Sequence, residues 1–218
     1  MPSTIWTVIH AAGRQGSEAL DAIIKKYRPA IVAFIQQAGY GPEDAEDLAQ
    51  DVFLAVVRDD VLSKADRARG RFRSLLLAVT RHAISTWRKH DGRQKRGGDR
   101  ERVHSDLPID ELLAAPGADE GFDTLWIQNL VRLGMNRLRD ECDQKKSPHY
   151  RALALYSSDG LGYAEIAERI EATVTDVKNH LHAGRKRLRE LLLQEVESYS
   201  STPEEYRSEV EYLLRLLK

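Results

Sequence analysis

Acidic and amide side chains line one face of a predicted helix, and carboxylates in such a row can bind a cationic partner through charge-assisted hydrogen bonds. The helix begins at Gly41 and Pro42, because proline fits a first helical turn, and it ends near Asp60. At about 100° per residue, the row covers roughly a third of the circumference. It consists of Glu43, Asp44, Asp47, Gln50, Asp51 and Leu54. Taken alone, this acidic stripe is also compatible with a merely solvated helix face.

Basic side chains line a second predicted helix, which runs from about Phe72 to Lys89. Opposite its apolar residues, this helix carries cationic and small side chains, which can bind phosphates and admit a polymer backbone. This basic face consists of Ser74, Ala78, Arg81, His82, Ser85, Arg88 and Lys89. Trp87 falls on the apolar side, which favours a place in the core over base stacking. The basic run at residues 95–98 could belong to this surface or could be a solvated helix end.

A third candidate site lies in the last third of the chain, where a short predicted helix, a break and a long basic helix follow one another. This order is typical of a helix-turn-helix, whose second helix enters the major groove of DNA. Thr173 and Asp176 have the spacing of a capping box at the start of the long helix, with aspartate as a weaker partner than glutamate. The long helix carries Lys178 and Arg185 among its charges.

Residues suited to metal binding, redox chemistry or catalysis form no recognisable pattern. Cys142 is the only cysteine, so no internal disulfide can form, and we expect a reducing compartment, the cytoplasm. Cys142 with the nearby His149 forms no ligand set. His180 and His182 are also unsuited to share a metal, since residues two apart on a helix point to different faces. We therefore predict no metal site, no cofactor, no catalytic residues and no enzymatic activity. The absence of a long apolar run also argues against a membrane span.

The elements that must position these side chains are predicted to be helices. Apolar residues recur at helical spacing, and no strand-like alternation has comparable strength. Of the 218 residues, 42% are hydrophobic and 31% charged, which is enough for real cores with a charged surface. The net charge of -1 hides segregation: residues 43–60 carry seven acids and one base, residues 81–102 eight bases and three acids, and residues 106–123 six acids and no base. We predict an all-α protein of two small helical domains joined by an acidic linker, the second containing the helix-turn-helix. The predicted segments are 1–98, the linker 99–122, 123–197 and a C-terminal extension at 198–218.

Helix boundaries follow from the same signals. A helix from Ser17 to about Ala38 should be bent or split by Pro29, which lacks the amide hydrogen that a helix interior needs. Helices should resume near Leu125 and break over residues 140–148, where the sequence is polar.

Three pieces in this order resemble the extracytoplasmic-function (ECF) group of bacterial RNA polymerase sigma factors. They are Asp-Ala-Glu-Asp-Leu-Ala-Gln-Asp-Val-Phe at residues 44–53, Phe-Arg-Ser-Leu-Leu-Leu-Ala-Val-Thr-Arg-His at 72–82, and the helix-turn-helix from Leu161. A lone helix-turn-helix would carry little weight, whereas all three motifs with an acidic linker between them are specific. The resemblance covers roughly residues 15–98 and 123–196.

The resemblance implies a protein that binds core RNA polymerase and promoter DNA and directs transcription initiation. The acidic stripe would bind the coiled coil of the polymerase clamp. The helix from Phe72 would bind the minus-ten element as a melted strand, and the loop at residues 63–71 would hold one flipped base. The long helix after Thr173 would read the minus-thirty-five element, and the acidic linker would lie in the RNA channel. The minus-ten residues would be Arg69, Arg71, Arg81, His82, Ser85, Arg88 and Lys89, and the minus-thirty-five residues Thr173, Thr175, Lys178, Asn179, His182 and Arg185.

The sequence departs from the family pattern at three places. Glu171 stands where a turn glycine is common, residues 183–184 replace a more basic pair, and Ser85 stands where an acid is frequent. Residues 70–74, residues 95–98 and the C-terminal tail look like a branch found in planctomycetes and similar bacteria. Some members of such branches are thought to answer to Ser/Thr kinases, so a kinase or an antagonist protein could be a further partner.

Two other functions remain open on sequence alone. A free-standing helix-turn-helix regulator would need the basic second domain but not the acidic stripe, and an adaptor built from interacting helices would not need nucleic acid. The amphipathic tail at 198–218 has several possible roles. It could pack on either domain and hold the free protein closed, contact a regulator, or simply extend the core of the second domain.

Overall fold

The computed structural model describes residues 17–58, 72–94, 119–200 and 202–216, with the backbone alone at 17–23, 57–58, 89–94 and 216. Within these ranges the regular secondary structure is entirely α-helical, as predicted. The helices are α1 (Ser17–Gln37), α2 (Pro42–Arg58), α3 (Phe72–Gln94), α4 (Glu120–Lys145), α5 (His149–Ser157), α6 (Tyr163–Arg169), α7 (Val174–Tyr199) and α8 (Pro203–Leu216).

The described residues divide into two compact units. The first contains the described residues up to Asn129 together with those from Ser198 onward, and the second is Leu130–Glu197. The division therefore falls within α4 and within α7. The predicted segments placed the start of α4 with the second domain and treated 198–218 as a separate extension, whereas both pack in the first unit. The functional roles assigned to those segments stay predictions.

Helices α1 to α3 supply the larger part of the core of the first unit. On α2, the apolar positions Ala45, Leu48, Val52 and Phe53 are buried, which leaves the opposite face to solvent. Gly39 lies in the turn that follows α1, and its φ of +97° is in the left-handed region that glycine adopts without a Cβ penalty. The predicted split at Pro29 is wrong, because α1 continues through it as one helix.

An aromatic cluster closes the core of the first unit. Tyr27 of α1 stacks on Trp126 of α4, with ring centroids 4.7 Å apart and planes 6° apart. Phe72 and Tyr199, the latter at the end of α7, make edge-to-face contacts with Tyr27, with ring centroids 5.6 and 6.3 Å from that of Tyr27. Because the rings come from both ends of the chain, they fix the first turns of α4 and the end of α7 in the first unit.

Helix α4 starts earlier and ends later than predicted. It begins at Glu120 because Asp119 caps it, accepting the Phe122 N–H at 3.1 Å. The predicted break at 140–148 is too long, since the helix continues to Lys145. Buried Leu138 and Cys142, four residues apart, carry its apolar face through that polar stretch.

The second unit is built around α7, whose apolar residues Val177, Leu181 and Leu191 are buried in a cluster with parts of α4, α5 and α6. Helix α7 lies close to the start of α5 at Gly184. A Cβ added there would lie 3.1 Å from the carbonyl oxygen of His149, so a glycine permits this approach. The family departure at this position therefore has a packing reason.

Candidate functional site

The acidic stripe lies on the outer face of α2, as its periodicity predicts. Four of its six members are exposed: Glu43, Asp44, Asp47 and Gln50. Asp51 and Leu54 are half-buried, and Oδ2 of Asp51 accepts the indole N–H of Trp87 at 3.4 Å. The stripe thus presents mainly carboxylates to solvent and is fastened to α3 at one end.

Helix α3 brings part of the predicted basic face to the surface. Ser85 and Arg88 are exposed, whereas Arg81 and His82 are half-buried. Arg88 donates to the carbonyl oxygen of Ala38 at 3.2 Å, which positions its guanidinium beside the end of α1. Lys89 lies in α3 with its side chain outside the described residues, and Arg69 and Arg71 also lie outside them.

Arg81 and Arg88 both line a cavity of about 490 Å³ between α1 and α3. Its floor is apolar, and Ser85 adds a hydroxyl. The other lining residues are Phe34, Ala38 and Ile84. Two guanidinium groups over an apolar floor suit an anionic group attached to a flat apolar one, as in a nucleotide.

Arg81 already has an anionic partner, Asp119, at 2.7 Å. Partial burial acts to raise the pKa of Asp119. The hydrogen bonds from the Phe122 N–H and from Arg81, with the positive charge of Arg81, outweigh burial and hold this pKa below its usual value. Asp119 therefore stays ionised against Arg81 at neutral pH.

The sequence interpretation missed Arg73, which is buried rather than part of a basic surface. It forms ion pairs with Asp123 and, at 3.0 Å, with Glu209 of α8. Tyr212 of α8 donates to Asp123 at 2.6 Å, and its ring lies 4.7 Å from the guanidinium carbon of Arg73. Position 73 borders the apolar face of α3, but its acids lie 50 and 136 residues away, so no local pattern could reveal the pairing.

Tyr199 completes this buried polar cluster. Burial, together with the negative charge of Glu209, holds the pKa of the Tyr199 hydroxyl well above its usual value. The hydroxyl therefore keeps its proton and donates to Glu209 at 3.2 Å.

In the second unit, the start of α7 presents the predicted minus-thirty-five residues to solvent. All six are exposed: Thr173, Thr175, Lys178, Asn179, His182 and Arg185. The predicted capping box is confirmed, with the Thr173 N–H donating to Asp176 Oδ2 and the Asp176 N–H donating to Thr173 Oγ1, both at 3.1 Å. The Thr173 hydroxyl also donates to Asp176 at 2.7 Å. The cap fixes the first turn of α7, from which Thr175 and Lys178 project.

Two tyrosines that the sequence interpretation did not assign to a binding site support Arg185. Its guanidinium lies 4.9 Å from the ring centroid of Tyr156, and Tyr156 stacks on Tyr163 with centroids 5.8 Å apart. Both rings are exposed, and the cation–π contact restricts the guanidinium while leaving its N–H groups free to bind. The signal in the sequence was two tyrosines flanking the short turn before α6.

Other charges of α7 serve the packing of the second unit. Arg187 forms two hydrogen bonds to Glu141 of α4, at 2.7 and 2.8 Å, and one to Glu190 at 2.7 Å. His149 and His180 lie with ring centroids 5.2 Å apart. Burial, and then the nearby His180, lowers the pKa of His149, which favours its neutral form.

The described residues contain neither a metal-binding cluster nor a membrane-spanning helix. No group of three histidine, cysteine or acidic side chains there could hold a metal ion. None of the helices described has the length and apolar character needed to cross a bilayer.

Comparison with known proteins shows the family to which the chain belongs. A family profile described as ECF sigma factor matches residues 30–194, well over half of the chain. An ECF RNA polymerase sigma factor, SigE of Mycolicibacterium smegmatis, is 25% identical over 186 residues, which are 85% of this chain and 66% of that protein, just under two thirds.

Two further relatives are covered over most of their length. RNA polymerase sigma factor YlaC of Bacillus subtilis is 22% identical over 79% of this chain and 91% of that protein. ECF RNA polymerase sigma factor SigK of Mycolicibacterium vanbaalenii is 24% identical over 85% of this chain and 87% of that protein. The chain belongs to the ECF sigma factor family, the proteins that direct promoter-specific transcription by RNA polymerase.

Proposed function

We propose that the chain recruits core RNA polymerase to its promoters through three separate surfaces. The observation that carries this proposal is the pairing, within the first unit, of an exposed acidic stripe on α2 with arginines on α3. A regulator that only binds duplex DNA would have no use for the acidic stripe. Polymerase performs the phosphodiester chemistry, and the chain supplies docking and promoter recognition in the cytoplasm.

The acidic stripe is the polymerase dock. Asp44 and Asp47 are exposed on a helix whose other face is fully buried, so their carboxylates are presented from a rigid support. Carboxylates steer and align a basic partner, and Leu54 adds an apolar contact at the end of the row.

The arginines of α3 bind the minus-ten element as a single strand. Arg81 and Arg88 flank the cavity whose apolar floor includes Phe34 and Ile84. Phosphate contacts from guanidinium groups give affinity, and an apolar floor accepts the flat face of a base.

Helix α7 reads the minus-thirty-five element in the major groove. Thr175, Lys178, Asn179 and His182 project from its exposed first turns, and Arg185, supported by Tyr156, binds backbone phosphate. Asparagine and lysine are suited to bidentate and charged contacts with base edges.

Reconstitution with core polymerase tests the function. Promoters enriched on overexpression serve as templates for run-off transcription, and we expect a transcript only when core enzyme and this chain are both present. Specific binding of duplex DNA without any association with core would support a free-standing regulator instead. Absence of both core binding and DNA binding would support an adaptor.

Two further proposals concern the partner that regulates the chain and the branch of the family to which it belongs. An antagonist protein or a Ser/Thr kinase would control the factor, and the chain would belong to the planctomycete-like branch. Mass spectrometry after coexpression with candidate kinases tests the first of these, and the absence of phosphate on the chain would count against it.

A further inference from the structure

The C-terminal helix α8 is attached to the first unit through charged groups rather than through apolar packing alone. Arg73, Asp123 and Glu209 are 4%, 5% and 3% exposed, and the three come from α3, α4 and α8. Tyr199 and Tyr212 donate to the two carboxylates, so each acid has both a cation and a hydroxyl donor.

The buried groups of this cluster depend on one another, so we expect them to keep or lose their contacts together. Each charge is costly to bury, and the cost is offset only when its partners and hydrogen bonds are all in place. Losing one member leaves a buried charge without compensation, so the remaining groups favour exposure to water. We therefore expect α8 to be either docked with all of these partners in place or released from them together.

The first turn of α4 is bound by α8 and by α3 at once. Asp123 lies one turn into α4 and accepts hydrogen bonds from Tyr212 of α8 and Arg73 of α3. Four residues earlier, Asp119 pairs with Arg81, which stands two turns beyond Arg73 on α3. Docking of α8 thus favours the position of α4 in which Asp119 pairs with Arg81.

We propose that α8 is an intramolecular clamp that keeps Asp119 on Arg81 and so makes this carboxylate compete with DNA phosphates for the arginine. The clamp lowers the affinity of the free chain for single-stranded promoter DNA, and release of α8 weakens the hold of Asp119 on Arg81. The proposal rests on the function proposed above for α3.

The first experiment measures DNA binding by the full chain without polymerase. The probe is a fluorescein-labelled single strand of 15 random nucleotides, titrated by anisotropy between 50 and 200 mM KCl. Asp119→Asn should bind up to about fivefold more tightly, the upper range for a partly exposed ion pair. Freeing one phosphate contact should steepen the slope of log affinity against log salt by about 0.7.

A matched control separates the clamp from a simple change in net charge. Asp140→Asn removes the same charge from an exposed site on α4 and should leave affinity and slope near wild type. Adding Arg81→Ala to Asp119→Asn should abolish the gain, because the arginine for which Asp119 competes with phosphate is then absent. Equal affinities and slopes for Asp119→Asn and Asp140→Asn would overturn the proposal.

The second experiment acts on α8 itself. Tyr212→Phe removes the 2.6 Å hydrogen bond to Asp123 but keeps the ring beside Arg73, so the chain should still fold. We expect faster hydrogen exchange of the α8 amides and a gain in DNA affinity in the same direction as for Asp119→Asn. The control Tyr206→Phe alters a half-buried tyrosine of α8 outside the cluster and should change neither.

The outcomes distinguish the clamp from the proposed function. Faster exchange of α8 without a gain in DNA affinity would overturn the competition, as would unchanged exchange in Tyr212→Phe. If wild-type chain and core polymerase yield no promoter-specific transcript, the function proposed for α3 fails, and the exchange of α8 still reports whether Tyr212 holds the clamp.

Discussion

The indole N–H of Trp87 donates to Oδ2 of Asp51 across 3.4 Å, which fastens the acidic stripe of α2 to the helix that carries the basic face. Asp47, one turn earlier on α2, is exposed. Two acids that are equivalent in the sequence pattern therefore differ in the structure. One is available to a partner, and the other also contributes to the packing of α2 on α3.

Charge reversal separates these two roles. Asp47→Lys should weaken the affinity for core polymerase about tenfold, because a like charge then faces the basic partner, and should leave stability unchanged. Asp51→Lys should weaken core binding and also lower the free energy of unfolding by about 1 kcal/mol, since the bond to Trp87 is lost. Core affinity from pull-down titration and urea unfolding are the measurements. Asp143→Lys, an exposed reversal on α4, is the control, and an equal effect of Asp47→Lys and Asp143→Lys on core binding would contradict the assignment.

Removal of the buried arginine should be far more damaging than removal of a surface one. Arg73→Ala leaves Asp123 and Glu209 buried without their cation, so the free energy of unfolding of the first unit should fall by about 3–5 kcal/mol. The matched change Arg139→Ala removes a surface pair with Asp140, 3.6 Å apart, and should cost about 0.5 kcal/mol or less. Urea unfolding measures both. A cost below about 1 kcal/mol for Arg73→Ala would mean that the cluster is not held by its charges.

The sequence predicted those features of the fold that depend on residues close together in the chain. Periodicity identified α2 and its acidic stripe because one face of that helix is buried from Ala45 to Val56. The capping box at Thr173 was predictable because its two partners lie three residues apart. The family departure at Glu171 marked a turn that requires a left-handed residue, and the structure gives Glu171 a φ of +55°.

Long-range pairings were beyond the sequence. Arg73 reads as one more basic residue of α3, because nothing near it reveals that its partners lie on α4 and α8. The same limit applies to the tail. Its apolar stripe predicted a helix, but the choice between the two units depends on Glu209 and Tyr212 meeting Arg73 and Asp123. The tail packs in the first unit, so the expectation that it could extend the core of the second domain is wrong.

Two neighbouring threonines should separate stability from recognition in α7. Thr173→Ala removes the cap, so the free energy of unfolding of the second unit should fall by about 1 kcal/mol. Thr175→Ala removes an exposed hydroxyl two residues later and should leave stability within about 0.5 kcal/mol while weakening promoter binding. Urea unfolding and anisotropy with duplex minus-thirty-five DNA distinguish them. Equal stability losses in the two variants would show that the cap is not formed in solution.

Acidic pH should lower the free energy of unfolding of the second unit, because Glu141 becomes protonated. The hydrogen bonds from Arg187 lower the pKa of Glu141, while burial acts in the opposite direction with a smaller effect. Because the folded pKa lies below the unfolded value of about 4.3, the stabilisation is complete above that value and is lost as pH falls through the folded pKa. Glu141→Gln should therefore be less stable than wild type at pH 7, with the difference shrinking below pH 4. Glu168→Gln, at an exposed position of α6, removes the same charge and is the matched control in the same urea series.

Replacing Glu171 should stabilise the turn before α7. The Ala172 N–H donates to Ala167 O at 2.9 Å and the Glu171 N–H to Glu168 O at 3.4 Å, so Glu171 occupies the left-handed position of a Schellman motif. A left-handed conformation costs a non-glycine residue about 1–2 kcal/mol. Glycine removes this cost but gives the unfolded chain more freedom, so Glu171→Gly should raise the free energy of unfolding by about 0.5–1 kcal/mol.

Lys146, with a φ of +51°, lies at the corresponding position after α4, where the Ser147 N–H donates to Cys142 O at 2.8 Å. Lys146→Gly should therefore raise the free energy of unfolding, as Glu171→Gly does. Glu168→Gly, within α6, should instead destabilise by about 1 kcal/mol, because its backbone is helical. Thermal and urea unfolding measure the three variants. If backbone conformation governs the effect, the free energy of unfolding should rise in Glu171→Gly and Lys146→Gly and fall in Glu168→Gly. Destabilisation by Glu171→Gly would show that the turn depends on the glutamate side chain, and promoter binding should be unchanged in that variant because α7 keeps its cap and its exposed residues.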